Sequence, residues 1–291
     1  MGKKKLVPQR RTRNQRARPA LVHLAILDTY AVRWSLDTFV RDLVQNFFDA
    51  APDFRQVRFD LDRAARTVHV AGPVEFDLDY LCYVGAGTKH DGRSVGGFGE
   101  GFKICALVAL RDFGLRLSAG AGRDEIEACL DPVPLGRELC YRRSRRRARI
   151  PGSWVRLEGC DDACLEAFAA SPGWFRHPAN PKLLPPIAED PASGAAILPS
   201  PTPERGEIYY RRQLRGVLRY YARPDRPVTL VHDAPIDDLE GDRDRRDLPA
   251  ERIARAIGDK LPPEGLHRVL LPLEPYWEHG CVPLSGLLQA A

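Results

Sequence analysis

Residues 36–51 read LDTFVRDLVQNFFDAA and decide the fold, because their apolar side chains recur at the spacing of an α-helix. Ser35, directly before this pattern, is a suitable N-cap residue. Pro52 follows it, and the residue before a proline is disfavoured in the α region. The pattern therefore predicts one amphipathic helix that begins after Ser35 and ends before Pro52.

Three polar side chains share one side of this helix. At about 100° per residue, Asp42, Asn46 and Asp49 fall within about 60° of one another, at the border of the apolar face. A stripe at that border faces a cleft, whereas a stripe opposite the apolar face meets bulk water. Mg²⁺ prefers oxygen ligands and keeps several waters, so Asn46 is the predicted ligand and Asp42 the predicted base. The alternative is an ordinary amphipathic helix with three polar residues.

A glycine-rich segment with two clusters precedes the next helical pattern. The first cluster is GAGTK at 85–89, and the second is GGFGEGFK at 96–103. Glycine lets backbone N–H groups approach a phosphate, and the start of a helix favours anions. The segment has neither the ending of a Walker loop nor the preceding strand of a Rossmann turn. We therefore predict a separate kind of phosphate-binding lid, with a merely flexible loop as the alternative.

Strand and helix patterns alternate along the rest of the chain. Residues 21–35 are compatible with a strand or a short helix, and residues 178–204 are rich in Pro, Ala and Ser, which predicts a linker. The predicted strands are 57–61 and 68–70, which form a hairpin, and then 115–118, 125–130, 138–142, 152–158, 206–210 and 228–231, with further helices at 102–109 and 250–257.

The order of these features resembles the GHKL ATPase superfamily, which includes gyrase B, heat-shock chaperones, MutL and histidine kinases. The matching features are D-x-x-x-N-x-x-D-A on a helix, a hairpin, G-x-G-T-K, and G-G-F-G-E-G-F-K opening a helix, within residues 21–160. The resemblance implies an α/β two-layer sandwich of the Bergerat type, in which helices cover one face of a mixed sheet. It implies ATP and Mg²⁺ as cofactors. The strand and helix patterns after residue 205 predict a smaller C-terminal α/β segment.

The same resemblance implies roles for individual residues. Asp42 stands where the ATPase members carry the glutamate that activates water, and Asn46 stands where they bind Mg²⁺. The other residues expected at the nucleotide are Asp49, Ala50, Gly85, Gly87, Thr88, Lys89, Gly97, Phe98, Gly99, Glu100, Gly101, Phe102 and Lys103.

The sequence departs from the family pattern at two positions. Asp42 is one methylene shorter than glutamate, so slow hydrolysis is expected. The aspartate that accepts the adenine amino group in the family corresponds by motif order to Ala71 in this sequence. Losing a hydrogen bond to a charged acceptor costs about 1.5–3 kcal/mol. Glu75, Asp77 and Asp79 follow in the sequence and are the candidates to replace it.

The predicted organisation has four parts, which are a disordered basic tail at 1–20, an ATP-binding domain at 21–177, the linker at 178–204, and a possible transducer segment at 205–291. The predicted function is a Mg²⁺-dependent ATPase in which lid closure changes the conformation or drives dimerisation. One alternative is a nucleotide-binding module with little turnover. The other is a basic nucleic-acid-binding protein without ATPase activity.

Positive charge is concentrated in two places. The chain has 291 residues and a net charge of +5, yet residues 1–18 carry eight basic and no acidic side chains and residues 141–149 carry six arginines. Nucleic acid is a candidate partner for both segments, and a solvated tail and hairpin are the alternative. Because no apolar run reaches the roughly 18 residues of a spanning helix, we expect a cytoplasmic protein without a membrane partner.

Overall fold

The structure is a computed structural model that describes most of the chain between residues 20 and 265. The described residues are 20–51, 53–82, 101–178, 180–192, 194–202, 204–218, 227–234, 236, 239, 249–260 and 263–265. The predicted basic tail up to residue 19 and the glycine-rich residues 83–100 lie outside the described residues.

Four helices and ten strands are named in chain order. The helices are α1 (Leu36–Ala50), α2 (Gly101–Arg111), α3 (Asp162–Ala170) and α4 (Ala250–Lys260). The strands are β1 (Ala20–Leu27), β2 (Arg58–Asp62), β3 (Thr67–Gly72), β4 (Arg116–Val133), β5 (Gly136–Glu158), β6 (Ala188–Asp190), β7 (Ala195–Pro199), β8 (Gly206–Tyr210), β9 (Gln213–Leu218) and β10 (Val228–His232).

Helix α1 has the boundaries that its sequence predicts. The side chain of Ser35 accepts a hydrogen bond from the backbone N–H of Thr38 at 3.2 Å, as an N-cap residue does. Ala51, before the proline, is extended with φ −75° and ψ 128°. The middle of the apolar face is fully buried, with Leu43 and Val44 at 0% exposure. The predicted helix is therefore confirmed.

The first sheet has the strand order β1-β5-β3-β2, and β4 pairs with β5. All of its pairings are antiparallel within the described residues. Helices α1, α2 and α3 cover one face, where Val70 and Val155 are buried in a common core. Phe39 of α1 meets Phe168 of α3 edge to face, with ring centroids 6.4 Å apart. The opposite face of the sheet is open and mostly polar.

Strands β4 and β5 are longer than predicted, with 18 and 23 residues. The sequence predicted four short strands here, because the apolar alternation stops between residues 143 and 151. In the structure this stretch continues β5 with its side chains exposed, so it has no buried face to produce the alternation.

The second sheet has the strand order β6-β7-β10-β8-β9, with a parallel pair between β8 and β10. Ile253 and Ile257 of α4 pack against one of its faces. Strands β6 and β7 lie inside residues 178–204, so part of the stretch predicted as a linker or long loop forms strands. The Pro, Ala and Ser content did not indicate them, because β7 reads AAILP and is buried through packing with strands farther along the chain.

Helices and sheets combine in both parts, so the predicted α/β class is confirmed. Of the helices that the structure describes, none has the length and apolar character to span a bilayer.

Candidate functional site

Helices α1 and α2 pack against each other through a polar contact. The thiol of Cys105 on α2 donates to Oδ2 of Asp42 on α1, at an Sγ–Oδ2 distance of 3.5 Å. Asp42 is 4% exposed and Cys105 is fully buried. Burial raises the pKa of Cys105 well above its usual value, so the group stays a neutral thiol and can donate. The polar stripe of α1 is thus joined to the helix that follows the glycine-rich segment.

Asn46 lies one turn after Asp42 on α1 and is half-buried. Its Nδ2 donates to the backbone carbonyl of Asp42 at 2.9 Å and lies 3.5 Å from the carbonyl of Leu43. The amide nitrogen therefore points at the helix backbone and the carbonyl oxygen Oδ1 points away from it. Among the described residues Oδ1 has no hydrogen-bond donor, so it can accept a metal ion or its water shell.

Asp49 faces a different neighbourhood from Asp42. It accepts a hydrogen bond from Nε2 of Gln45 at 3.3 Å, and it lines a cavity of about 630 Å³ at the C-terminal end of α1. The far wall of that cavity includes Leu198 and Asp233 of the second sheet and its border. The two carboxylates of the predicted stripe therefore face different elements. Asp42 contacts α2, and Asp49 faces the second sheet.

The first residues of α2 are more buried than the predicted lid suggests. Gly101 begins the helix and Phe102 belongs to the core. Lys103 is 0% exposed, and its Nζ lies 3.5 Å from the carbonyl oxygen of Tyr80. Ala50 is half-buried at the end of α1. The other expected nucleotide residues lie outside the described residues: Gly85, Gly87, Thr88, Lys89, Gly97, Phe98, Gly99 and Glu100.

Tyr141 of β5 adds a polar group to the same interior, and the sequence did not indicate it. Its side chain is 0% exposed, and its hydroxyl has no hydrogen-bond partner in the described part of the chain. Burial raises its pKa, with smaller contributions from the nearby thiols of Cys82 and Cys105. The one available signal was a tyrosine at a core-facing strand position, where the hydroxyl usually needs a partner.

The structure corrects the position assigned to adenine recognition. Ala71 pairs with Trp154 and lies on the open face of the first sheet, away from α1 and α2. The residues of β3 that face the helices are its neighbours Val70, which is in the core, and Gly72. A Cβ on Gly72 would lie 3.1 Å from the ring of Phe47. Side chains alternate along a strand, so a residue at position 71 cannot reach a ligand beside α1.

The three acidic residues that were candidates to replace this aspartate have other partners. Glu75 pairs with Arg149 at 2.7 Å, and Asp79 pairs with Arg143 at 2.6 Å. Asp77 accepts a hydrogen bond from the backbone N–H of Asp79 at 2.9 Å. Adenine recognition by one of these carboxylates would require it to give up its present partner.

Helix α1 also contacts the second sheet directly. Nε2 of Gln213 donates to Oε1 of Gln45, and both side chains are buried. Phe48 stacks on Phe175 with ring centroids 4.1 Å apart. Because Gln45 directly precedes Asn46, the helix that carries the candidate metal ligand is tied to the C-terminal part of the molecule.

No protein-family model matches the chain, and no curated protein matches it. Among solved structures, the chain is similar to the ATPase region of Saccharomyces cerevisiae topoisomerase II, with a TM-score of 0.38 and 9% sequence identity over 84% of this chain and 85% of that one. It is similar to the same region bound to ICRF-187 (dexrazoxane), with a TM-score of 0.37 and 8% identity over 84% and 86% of the two chains.

Proposed function

We propose that this protein binds ATP with Mg²⁺ beside α1 and hydrolyses it slowly. The observation that carries the proposal is the contact between Asp42 and Cys105, because it joins the polar stripe of α1 to the helix that opens directly after the glycine-rich segment. A triphosphate lying along that boundary would have oxygen ligands on one side. On the other side it would have the N–H groups and the positive dipole end of α2.

The oxygen donors present fit Mg²⁺. Asn46 offers a carbonyl oxygen whose amide partner is already held by the helix backbone, so no reorientation is needed on binding. When bound, Mg²⁺ supplies positive charge to the phosphates. Within the described residues no cluster of three His, Cys, Asp or Glu side chains surrounds this position, which suits an ion held mainly by water and phosphate.

Asp42 is the residue of this chain that would accept a proton from the attacking water. Its carboxylate has the hydrogen bond from Cys105 to fix its orientation, and it is nearly inaccessible to solvent. The short side chain and its burial both favour slow turnover. A nucleotide-binding module without appreciable hydrolysis is therefore the second candidate function.

The contacts between α1 and the second sheet provide a route by which nucleotide binding would change the conformation of the protein. Gln45 and Phe48 belong to the same two turns of α1 as Asn46. Gln45 contacts Gln213 of β9 directly, and Phe48 stacks on Phe175, which forms a β-bridge with Gln213. We infer that nucleotide binding shifts these contacts and so changes the conformation, or the dimerisation, of the protein.

Replacement of Asn46 by alanine tests the metal site. We expect Asn46→Ala to lose the Mg²⁺-dependent part of ATP binding, because the amide oxygen is removed while alanine keeps the helix stable. The measurement is a titration of fluorescent ATP into wild type and variant, with Mg²⁺ and with EDTA.

Asp37→Ala is the matched control, since Asp37 is an exposed polar residue in the first turn of the same helix. We expect it to bind ATP as wild type does. Equal Mg²⁺ dependence in wild type and Asn46→Ala would show that Asn46 is not the ligand. No ATP binding by wild type would remove the proposed function as a whole.

A further inference from the structure

The pairing of β4 with β5 is interrupted by a wide bulge. A single residue of β4, Arg123, stands opposite the four residues 146–149 of β5, which read Arg-Arg-Ala-Arg. Bulges of this kind bend a strand and redirect its side chains. Four arginines are therefore gathered at one position of the first sheet, although one of them is more than 20 residues from the others in sequence.

The arginines of the bulge differ in how they are neutralised. Arg146 makes a two-pronged contact with Glu125, with N–O distances of 2.7 and 3.0 Å, and Arg149 pairs with Glu75. Arg123 and Arg147 are exposed and have no acidic partner within the ranges that the structure describes. Two guanidinium groups of the bulge are thus available for an anion.

Through Arg146, the bulge borders a groove of about 570 Å³ on the face of the first sheet that no described helix covers. We call the groove and the bulge together the arginine groove. Five arginines and three glutamates line the groove, so its lining has an excess of positive charge. Arg58, at the far strand β2, has no acidic partner among the described residues, whereas Arg142 lies 3.7 Å from Glu127. Exposed pairs of this kind contribute little and exchange readily with other anions.

Trp154 forms the floor of the arginine groove. A Cβ on Gly120, its partner across the strands, would lie 2.5 Å from the indole ring, so the ring lies flat on the glycine. The guanidinium carbon of Arg146 lies 4.8 Å from the ring centroid, and the ring of His69 is stacked at 5.9 Å. The indole of Trp154 therefore has one guanidinium group and a second planar ring close to it, an arrangement that residues 141–149 do not show in sequence.

We propose that the arginine groove binds a single-stranded nucleic acid. The arginines would contact successive phosphates, and the guanidinium plane of Arg146, supported by Trp154, would stack on a base. A single strand can present phosphates and unpaired bases together to a shallow groove, whereas a duplex encloses its bases. The site lies on the opposite face of the sheet from α1 and α2, so this inference does not depend on ATP binding.

The test uses the full chain and a fluorescein-labelled single-stranded oligonucleotide of mixed sequence, with anisotropy measured over a series of salt concentrations. We expect the double variant Arg123→Ala, Arg147→Ala to bind about fivefold more weakly than wild type, because two unpaired charges are lost. The slope of log K against log salt should fall by about 1.4, since each single-strand phosphate contact contributes about 0.7.

The double variant Arg33→Ala, Arg63→Ala is the control, because both residues are exposed and their loss changes the net charge equally. We expect it to bind like wild type. If both double variants bind equally weakly, binding depends on general charge. If neither variant changes binding, the oligonucleotide binds elsewhere, for example at the basic N-terminal residues. Either result overturns the proposal. A wild type that does not bind overturns it as well.

Three further comparisons test the kind of ligand. Arg146→Lys keeps the charge but loses the planar group, so we expect weaker binding with an unchanged salt slope. The duplex form of the oligonucleotide should bind more weakly than the single strand, and tighter duplex binding would contradict the single-strand assignment. Polyglutamate that competes as well as unlabelled oligonucleotide would instead indicate an acidic protein partner.

Discussion

At the residue scale, a hydrogen bond from a buried thiol orients the carboxylate of Asp42. The neutral thiol of Cys105 donates to the carboxylate oxygen Oδ2 of Asp42, as a buried thiol that keeps its proton does. The side-chain amide of Asn46, one turn away, is held by a backbone carbonyl and does not depend on the Asp42 carboxylate. In the proposed function, metal binding and proton transfer belong to separate side chains, so each can be removed alone.

Asp42→Asn tests the proton transfer. We expect the variant to bind ATP as tightly as wild type, because the side chain keeps its shape and can still accept from Cys105. Steady-state phosphate release should fall by about 10²- to 10⁴-fold, the usual contribution of a general base.

Asp37→Asn, in the first turn of α1, supplies the control for that measurement and should release phosphate at the wild-type rate. If Asp42→Asn also turns over at the wild-type rate, Asp42 has no enzymatic role and the protein is a binding module. Binding and turnover are measured on the same samples, so loss of folding would appear as loss of both.

At the element scale, the close approach of β3 and β5 depends on one glycine. Gly152 has φ +76°, and a Cβ at this position would lie 2.0 Å from the carbonyl oxygen of Gly72. The contact occurs just before the in-register segment in which β5 pairs with β3. A side chain at position 152 would push β5 away from β3 at the end of their paired segment.

Gly152→Ala should therefore destabilise the protein by about 3 kcal/mol or more, from the left-handed backbone and from the clash together. Gly114→Ala is the matched variant, because Gly114 has φ +63° and a Cβ added to it would meet no atom within 4 Å. It should cost only about 1 kcal/mol. Urea unfolding of both variants gives the comparison, and equal losses would show that the clash is relieved by small backbone movements.

At the scale of the whole molecule, the link between Gln45 and Gln213 joins segments 168 residues apart. The two side chains are buried, so removing one leaves a polar group of the other without its partner. We expect Gln213→Ala to cost about 1–3 kcal/mol of unfolding free energy. Combined with Gln45→Ala, the loss should be smaller than the sum of the two single losses, and urea unfolding of the cycle measures the difference.

Gln56→Ala is the control for this cycle, because Gln56 is exposed and lies in neither contact. Its effect should add to that of Gln213→Ala. If the effects of Gln45→Ala and Gln213→Ala also add, this pair does not couple α1 to the second sheet energetically. The proposed route from the nucleotide to the C-terminal part would then lose its support.

Local pattern was sufficient for much of the first part of the fold. The cap at Ser35, the end of α1 before Pro52, the hairpin of β2 and β3 and the start of α2 were all predicted, because each depends on neighbours within a few residues along the chain. Helical spacing also placed Asp42, Asn46 and Asp49 on one side of α1, but it did not indicate that Asp42 contacts α2 while Asp49 faces the second sheet.

Only the tertiary structure decided what each of these side chains meets. The thiol opposite Asp42 comes from 63 residues away, and the partner of Gln45 comes from 168 residues away. Which face of β3 carries Ala71 depends on strand register, since a shift of one residue exchanges the two faces. Such contacts depend on packing and strand pairing between segments that are far apart in the sequence. Packing and pairing of this kind leave no periodic pattern in the residues that make the contacts.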